Sequence, residues 1–272
     1  MPRAAAARAP AFLMCRPTHY AIAYEINPWM SLKRQANPAR ARAQWAALHR
    51  LLTAELGARV RLLPPRPGVP DLVFTANAGL VRGRTLIRSN FRYPERQREE
   101  PIIERYFAQR SYRVLRLSGR YDFEGEGDAL WQDRTLVFGF RFRSDAPAHE
   151  ELARLLQVRV LPVELADKRF YHLDTCFCPL DRRSALWYPR AFDRYGRRVL
   201  EGLVEDLIAV SEADAIRFAC NAIVVGRAIV LQAGCSSSLR MQLDRRGWRP
   251  VPVDLSEFLK AGGAAKCLVL RL

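Results

Sequence analysis

Apolar residues along this chain fall into short runs that recur in one order: strand, tight turn, strand, helix, strand. Runs of about four to eight apolar residues bounded by Gly, Pro, Asn or Asp read as strands, and apolar residues at helical spacing read as helices. Near the start, residues 12–15 and 20–26 predict two strands. Asn37-Pro38 then opens a helix whose apolar face runs through Trp45, Leu48 and Leu52 until Gly57 stops it, and residues 59–63 predict the next strand. A second pass has strands at 72–74 and 79–81 around a polar Thr75-Ala76-Asn77 step, a turn at Gly83, a return strand at 85–87, a helix from Glu95 to Phe107 and a strand at 112–115. Three more passes follow, with hairpins at 129–138, 176–188 and 222–231, helices at 147–156, 192–204 and 236–243, and closing strands at 158–163, 207–210 and 249–253. The chain ends on a Gly262-Gly263 bend and a short apolar run, 268–272, which predicts a last strand with Cys267 at its mouth.

The passes make five ββαβ-like units of roughly fifty residues each. Units two to five open at Asp71, Glu124, His172 and Asn221. Radial repetition of small sheets limits exposed edges, so the pattern predicts an α/β ring around a pseudo-fivefold axis rather than an open sheet. In such a ring the unit openings lie near the axis, together with the chain's last turn. Residues 11–272 are expected to form a single catalytic domain, with the Ala/Arg-rich residues 1–10 as a loose tail.

The openings carry chemistry. His172 and Asp174 are two apart and would share one face of a strand, able to share a proton or a cation. Glu124-Gly125-Glu126-Gly127-Asp128 gathers three carboxylates among glycines that let the backbone crowd a ligand. Spacing leaves open whether Glu124 or Glu126 faces the axis; Glu124 is taken, with Asp128 supporting the turn or the ligand. Asp71 and Asn77 add a carboxylate and a carboxamide, and Asn27 a second amide beside Trp29. Carboxylates accept paired hydrogen bonds from a planar cation such as guanidinium, a thiolate can attack its electron-poor carbon, and an imidazole can protonate the departing amine. A thiol at Cys267 facing the His172 ring across a ligand-sized gap is the arrangement this predicts.

Composition narrows the classes. Of 272 residues 44 are basic and 28 acidic, a net charge of +16, and only four of the basic residues are lysines (Lys33, Lys168, Lys260 and Lys266). The arginines are scattered and form no stripe, which argues against a specific nucleic-acid footprint. A basic nucleic-acid-binding protein is the non-enzyme alternative, and it would be indifferent to Cys267→Ser. Six cysteines occur, and Cys176-Phe177-Cys178 lacks both the spacing and the second pair of a structural zinc site. No signal peptide and no apolar run of about 18 residues is present, so a cytoplasmic protein off the membrane is expected.

The stretches INPWM, PDLVFTANAGLV, YPERQ, FEGEGDAL, HLDT, NAIVVG and KAGGAAKCL resemble the guanidino-group-modifying (amidinotransferase) superfamily over nearly the whole chain. That group includes arginine deiminases, dimethylarginine dimethylaminohydrolases and arginine dihydrolases. The resemblance implies the five-bladed α/β-propeller, or pentein, fold. It also implies roles. Cys267 would be the nucleophile forming an amidino-thioether, His172 the acid and later the base, and Glu124 the group that orients His172 and holds the guanidinium. Asp174 and Asp71 would bind substrate nitrogens or the α-amino group, and Arg96 and Arg143 the α-carboxylate. No metal or organic cofactor is implied, the partner is a small guanidino compound, and an oligomer is compatible with the reading. Deiminases usually carry Asp where this chain has Asn77; Asn there, with INPWM, looks more like arginine dihydrolases, which give ornithine, ammonia and carbon dioxide. Dimethylarginine hydrolysis is the alternative, with Trp29 or Phe74 lining a recess for two methyl groups, and arginine deimination a further one.

Overall fold

The computed structural model describes residues 9–272, so the expected tail lies outside the described residues for positions 1–8. Fifteen strands form five three-stranded sheets. They are β1 (Ala11–Cys15), β2 (Arg59–Leu63), β3 (Gly79–Arg82), β4 (Thr85–Arg88), β5 (Arg113–Arg116), β6 (Ala129–Gln132), β7 (Thr135–Phe140), β8 (Val160–Glu164), β9 (Phe177–Pro179), β10 (Ser184–Trp187), β11 (Asp206–Ala209), β12 (Ile223–Val225), β13 (Ala228–Gln232), β14 (Arg249–Val253) and β15 (Leu270–Arg271). In every sheet the middle strand pairs antiparallel with one neighbour and parallel with the other. The antiparallel neighbours β3, β6, β9, β12 and β15 are the inner strands of a five-bladed α/β-propeller, with β15 beside β3 and β6 beside β9.

One blade is assembled from both ends of the chain. β15 pairs with β1, Leu13 opposite Leu270, and the Thr75 hydroxyl bridges the carbonyls of Leu13 and Leu268 at 2.8 and 3.0 Å. This overturns the strand expected at 20–26. Tyr20, Ile22 and Ile26 are buried in alternation, as the pattern demanded, but the inner position beside β1 is taken by β15. The last strand is also shorter than 268–272, because Lys266–Leu268 is a 3-10 turn.

Helices pack outside the sheets: α1 (Pro38–Arg50), α2 (Glu100–Ala108), α3 (Ala148–Leu156), α4 (Arg194–Leu203) and α5 (Ser237–Arg245). Asn37 caps α1, its side chain accepting from the N–H groups of Ala39 and Arg40 at 3.0 Å. The single helix expected from Glu95 to Phe107 is two, Pro94–Gln97 and α2, because Pro101 in the first turn of α2 has no N–H to give the Gln97 carbonyl and so cannot continue the earlier helix. Buried Ile103 and Phe107 of α2 and Leu152 and Leu156 of α3 seat those helices on their sheets. Each such side chain contributes about 1.5–3 kcal/mol by leaving water.

The inner strands are entered through tight turns, and these turns build the hub. Thr75–Ala78, Gly125–Gly127, Leu173–Thr175 and Lys266–Leu268 are 3-10 turns, and Pro70–Val73 is another just ahead of the first, so the expected strand at 72–74 and the strand face shared by His172 and Asp174 are both corrected. The register of the repeat also shifts. Glu124 and His172 each stand five residues before their inner strand, where the other blades have Phe74, Phe218 and Ala265. Asp71 lies three residues upstream of that position and Asn221 three downstream.

Candidate active site

Two short glycine contacts bring the acidic turn onto the axis. Gly125 has φ +60, and a Cβ there would lie 2.7 Å from the backbone of Gly79. A Cβ on Gly127 would lie 2.3 Å from Asn77 Nδ2 and 3.2 Å from the His172 ring. Without side chains at both positions, Glu124 reaches His172, and its Oε2 receives His172 Nε2 at 2.8 Å and Arg143 Nη1 at 2.9 Å. Arg143 is itself fixed between the rings of Tyr93 and Tyr171, and it donates to the carbonyl of Ile26 at 3.0 Å.

Cys267 occupies the next part of the hub. Its Sγ donates to Asp174 Oδ2 at 3.5 Å and accepts from Asn221 Nδ2 at 3.1 Å, while Lys266 beside it pairs with Glu126 at 2.9 Å. Glu124, His172, Asp174 and Cys267 are all buried.

Burial acts against charge everywhere here, and partners decide the outcome. It disfavours the Glu124 anion, but Arg143, then His172 and Arg96, outweigh it and hold the carboxyl down to about 2. Burial, only partly offset by Glu124, holds the His172 imidazole down to about 4, so the ring is neutral at pH 7. Asp174 is pushed up to about 7 by burial, against Lys266, Cys267 and Asn221. The Cys267 thiol is pushed well above its ordinary value by burial and then by Asp174, so it holds its proton at pH 7.

The other expected residues divide. Asn27, Asp71, Asn77, Arg96, Arg143 and Cys267 line one cavity with Met30, Phe74 and Tyr171. Asp71 is buried and its pKa raised, chiefly by that burial and against Arg96 and the nearby Tyr24 hydroxyl; its Oδ1 makes no hydrogen bond within reach, and neither do the Tyr24 hydroxyl and Asp174 Oδ1. Arg96 grips Glu99 through Nε and Nη2 at 2.8 Å and also donates to Asn77 Oδ1 and the Asp71 carbonyl, so four of its five N–H groups are used. Arg143, with two used, keeps three. Asn27 shapes its loop by accepting from the Trp29 N–H and ties it to the Ala261 carbonyl at 3.1 Å. Trp29 meets Phe218 edge to face and does not line the cavity.

Of the two parts expected for Asp128, its contacts fit support of the turn. Its oxygens receive Ser144 Oγ at 2.7 Å and the Leu173 N–H at 3.1 Å, so it stitches two hub turns together behind the site. Glu126 points the opposite way, lining a separate cavity of about 620 Å³. The ligand-sized gap is not open either. The cavity beside Cys267 has a volume of about 10 Å³, room for one water, and an outer cavity of about 480 Å³ shares Asn27, Met30, Arg143 and Tyr171 with it.

Sequence reasoning missed Asn221 as a partner of the sulfur, although it had marked it as a unit opening. It also missed Lys266, whose signal was being one of four lysines in an arginine-rich chain, next to the cysteine. Nothing in the sequence singled out Glu99 or Tyr171. Among the described residues, no group of three or more His, Cys, Asp or Glu side chains could hold a metal ion, and no helix is long and apolar enough to cross a membrane.

Known proteins share this geometry. A family model described as N,N dimethylarginine dimethylhydrolase, eukaryotic, matches residues 14–272. The chain is 47 % identical over 266 residues to the bifunctional arginine dihydrolase/ornithine cyclodeaminase AgrE of Nostoc sp., covering 96 % of this chain and 37 % of that protein. It thus spans little more than a third of that relative's length. Over 261 residues it is 38 % identical to the N(G),N(G)-dimethylarginine dimethylaminohydrolase of Mycobacterium tuberculosis, covering 96 % of this chain and 85 % of that protein. Among solved structures, the substrate-bound N-terminal domain of ArgZ, an arginine dihydrolase from the ornithine–ammonia cycle in cyanobacteria, superposes with a TM-score of 0.92 at 45 % identity, covering 96 % of this chain and 97 % of that one. With the match running almost from end to end, the chain belongs to the N,N dimethylarginine dimethylhydrolase family.

Proposed function

We propose that this chain is a cysteine-dependent arginine dihydrolase, converting arginine and two waters to ornithine, two ammonia and carbon dioxide. The observation that carries the reading is the pair of buried, unpartnered carboxylate oxygens, Asp71 Oδ1 and Asp174 Oδ1, in a hub that also holds a free thiol and a neutral imidazole hydrogen-bonded to Glu124. A buried acceptor without a donor is costly, and the planar N–H groups of a guanidinium would satisfy it. The similarity to AgrE and ArgZ supports arginine as the substrate.

The residues take the following parts. Arg143, with three free N–H groups, and Arg96, with one, hold the α-carboxylate. Asp174 and Glu124 take the guanidinium N–H groups, and Asp71 the α-amino group or a substrate nitrogen. The arriving cation offsets the burial that keeps the Cys267 thiol protonated. Neutral His172 receives the thiol proton, becoming an imidazolium held by Glu124, and the sulfur bonds to the guanidinium carbon. The C–N bond breaks as His172 hands its proton to the leaving ammonia, leaving an amidino-thioether. His172 then takes a proton from water, whose oxygen bonds to the same carbon; the C–S bond breaks, the sulfur leaves with the electron pair and regains a proton from His172, and loss of the hydroxyl proton to solvent gives the ureido product. A second round removes the second nitrogen, and the resulting carbamate loses carbon dioxide.

Asn77 supports retention of the neutral ureido intermediate. Its amide oxygen accepts from Arg96 and one of its N–H groups reaches the Glu124 carbonyl, and it adds no anion that would favour a cation alone. Residues 11–272 act as one catalytic unit in this reading, because Asn27 near one end and Cys267 near the other line the same cavity. Entry from the outer cavity requires the Asn27–Met30 segment to yield. Incubation of the purified protein with L-arginine, citrulline and dimethylarginine, scored for ornithine, citrulline and dimethylamine, tests the proposal. Ornithine and ammonia from arginine are expected; arrest at citrulline overturns the dihydrolase assignment, and dimethylamine release as the faster reaction replaces it.

A further inference from the structure

Asn221 is the unit opening to which the reaction above gives no role, and its carboxamide is fully used. Oδ1 accepts the N–H groups of Ala264 and Cys267, each at 3.1 Å. Nδ2 donates to the Asp174 carbonyl at 3.1 Å and to Cys267 Sγ at 3.1 Å. The residue is completely buried. We propose that Asn221 is a positioning residue for the nucleophile: its oxygen fixes the turn that carries Cys267, and its N–H holds the sulfur and favours its thiolate. This rests on the reading of Cys267 as the nucleophile.

A thiol sulfur is a weak acceptor and a thiolate a strong one, so an N–H aimed at sulfur stabilises the charged form. Asp174 works the other way, since its Oδ2 accepts the S–H and its negative charge favours the thiol. The sulfur therefore lies between one group that holds its proton in place and another that rewards its loss. A carboxamide suits the second task because one end accepts two backbone N–H groups while the other donates. Asn77 stands at the equivalent place in its own blade, two residues before the inner strand, and its Nδ2 also reaches a backbone carbonyl, that of Glu124 at 3.3 Å. What differs is the neighbour. Asn77 faces Arg96, and Asn221 faces the sulfur.

Two substitutions separate the tasks. Asn221→Asp keeps an oxygen for the backbone N–H groups and loses the donor to sulfur; Asn221→Ser puts its hydroxyl one bond short of the amide nitrogen's place, out of hydrogen-bond reach of the sulfur, without adding charge. Each is read by the pH dependence of Cys267 alkylation with iodoacetamide, located by peptide mass spectrometry, and by kcat and KM on L-arginine. Both variants are expected to move the alkylation midpoint upward by about one pH unit and to lower kcat about tenfold, with KM changed less than about threefold. A merely structural role would leave the midpoint where it is. A midpoint unchanged in either folded variant, with kcat within about threefold of the parent, overturns the assignment. If Asn221→Asp does not fold, the Ser variant decides by the same limits. Cys267→Ser is run beside them: if it retains turnover, the nucleophile reading itself fails, whereas a dead Cys267→Ser with parent-like Asn221 variants sinks only the positioning role.

Discussion

Glu124 and Asp174 sit on neighbouring blades, both wholly buried, and end in opposite states. Glu124 meets the Arg143 guanidinium at 2.9 Å and the His172 ring at 2.8 Å, and is held down to about 2. Asp174 meets a thiol at 3.5 Å, has one oxygen without a partner, and is pushed up to about 7. Equal burial therefore gives a permanent anion on one side of the hub and a conditional one on the other. The difference lies in who supplies the countercharge. For Glu124 it is the protein; for Asp174, in the proposed reaction, it is the substrate, with Lys266 contributing from behind while paired to Glu126.

Removing the permanent anion has the largest effect. Glu124→Gln leaves Arg143 buried without its countercharge and His172 without its support, and is expected to cost about 3–5 kcal/mol of stability in denaturant titrations. Turnover of any folded fraction should fall about a thousandfold. Asp174→Asn, by contrast, replaces a group already half neutral at pH 7. Its stability should stay within about 1 kcal/mol of the parent, while kcat/KM falls about ten- to a hundredfold for want of the acceptor the guanidinium needs. Equal losses of stability in the two variants would erase the distinction.

Acidity sharpens it further. With ionised Asp174 required for binding, kcat/KM should rise through pH 7, and this limb should vanish in Asp174→Asn. Stability moves in opposite directions for the two groups. Glu124, with its pKa lowered on folding, contributes stability that is full above its ordinary pKa of about 4.3 and is lost as pH falls toward 2. Asp174, with its pKa raised, favours the fold below about 4, and that contribution is lost as pH climbs toward 7. The thermal midpoint of Asp174→Asn relative to the parent should therefore improve between pH 5 and pH 7.5 in paired melts. The smallest effect is expected of Glu126→Gln, which releases the Lys266 charge toward Asp174 and the sulfur. The rising limb of kcat/KM should shift to lower pH by a fraction of a unit, with less than about a threefold change in rate at pH 7.

Hairpin punctuation made the five blades legible, because Gly83 and Gly226 mark turns between short apolar runs whatever the tertiary context. The alternation at Tyr20, Ile22 and Ile26 reported burial correctly and pairing wrongly, since nothing local says that the inner strand beside β1 comes from the far end of the chain. Glu124, His172 and Cys267 stood out by residue type and by their place in the repeat. Their true register did not, because 3-10 turns at the hub break the period-two rule on which strand faces are read. The orientation of the acids was likewise hidden. Glu124, Glu126 and Asp128 differ only in which partner each meets: Arg143 and Ser144 come from the loop after β7, and Lys266 from the far end of the chain.

The most direct test of the account is acid quench of the protein during turnover of L-arginine, followed by peptide mass spectrometry. The account predicts an adduct with the mass of arginine less ammonia on the peptide carrying Cys267, absent from Cys267→Ser. Sustained turnover with that peptide unmodified, or with the adduct on Cys176, Cys178, Cys220 or Cys235, would contradict it.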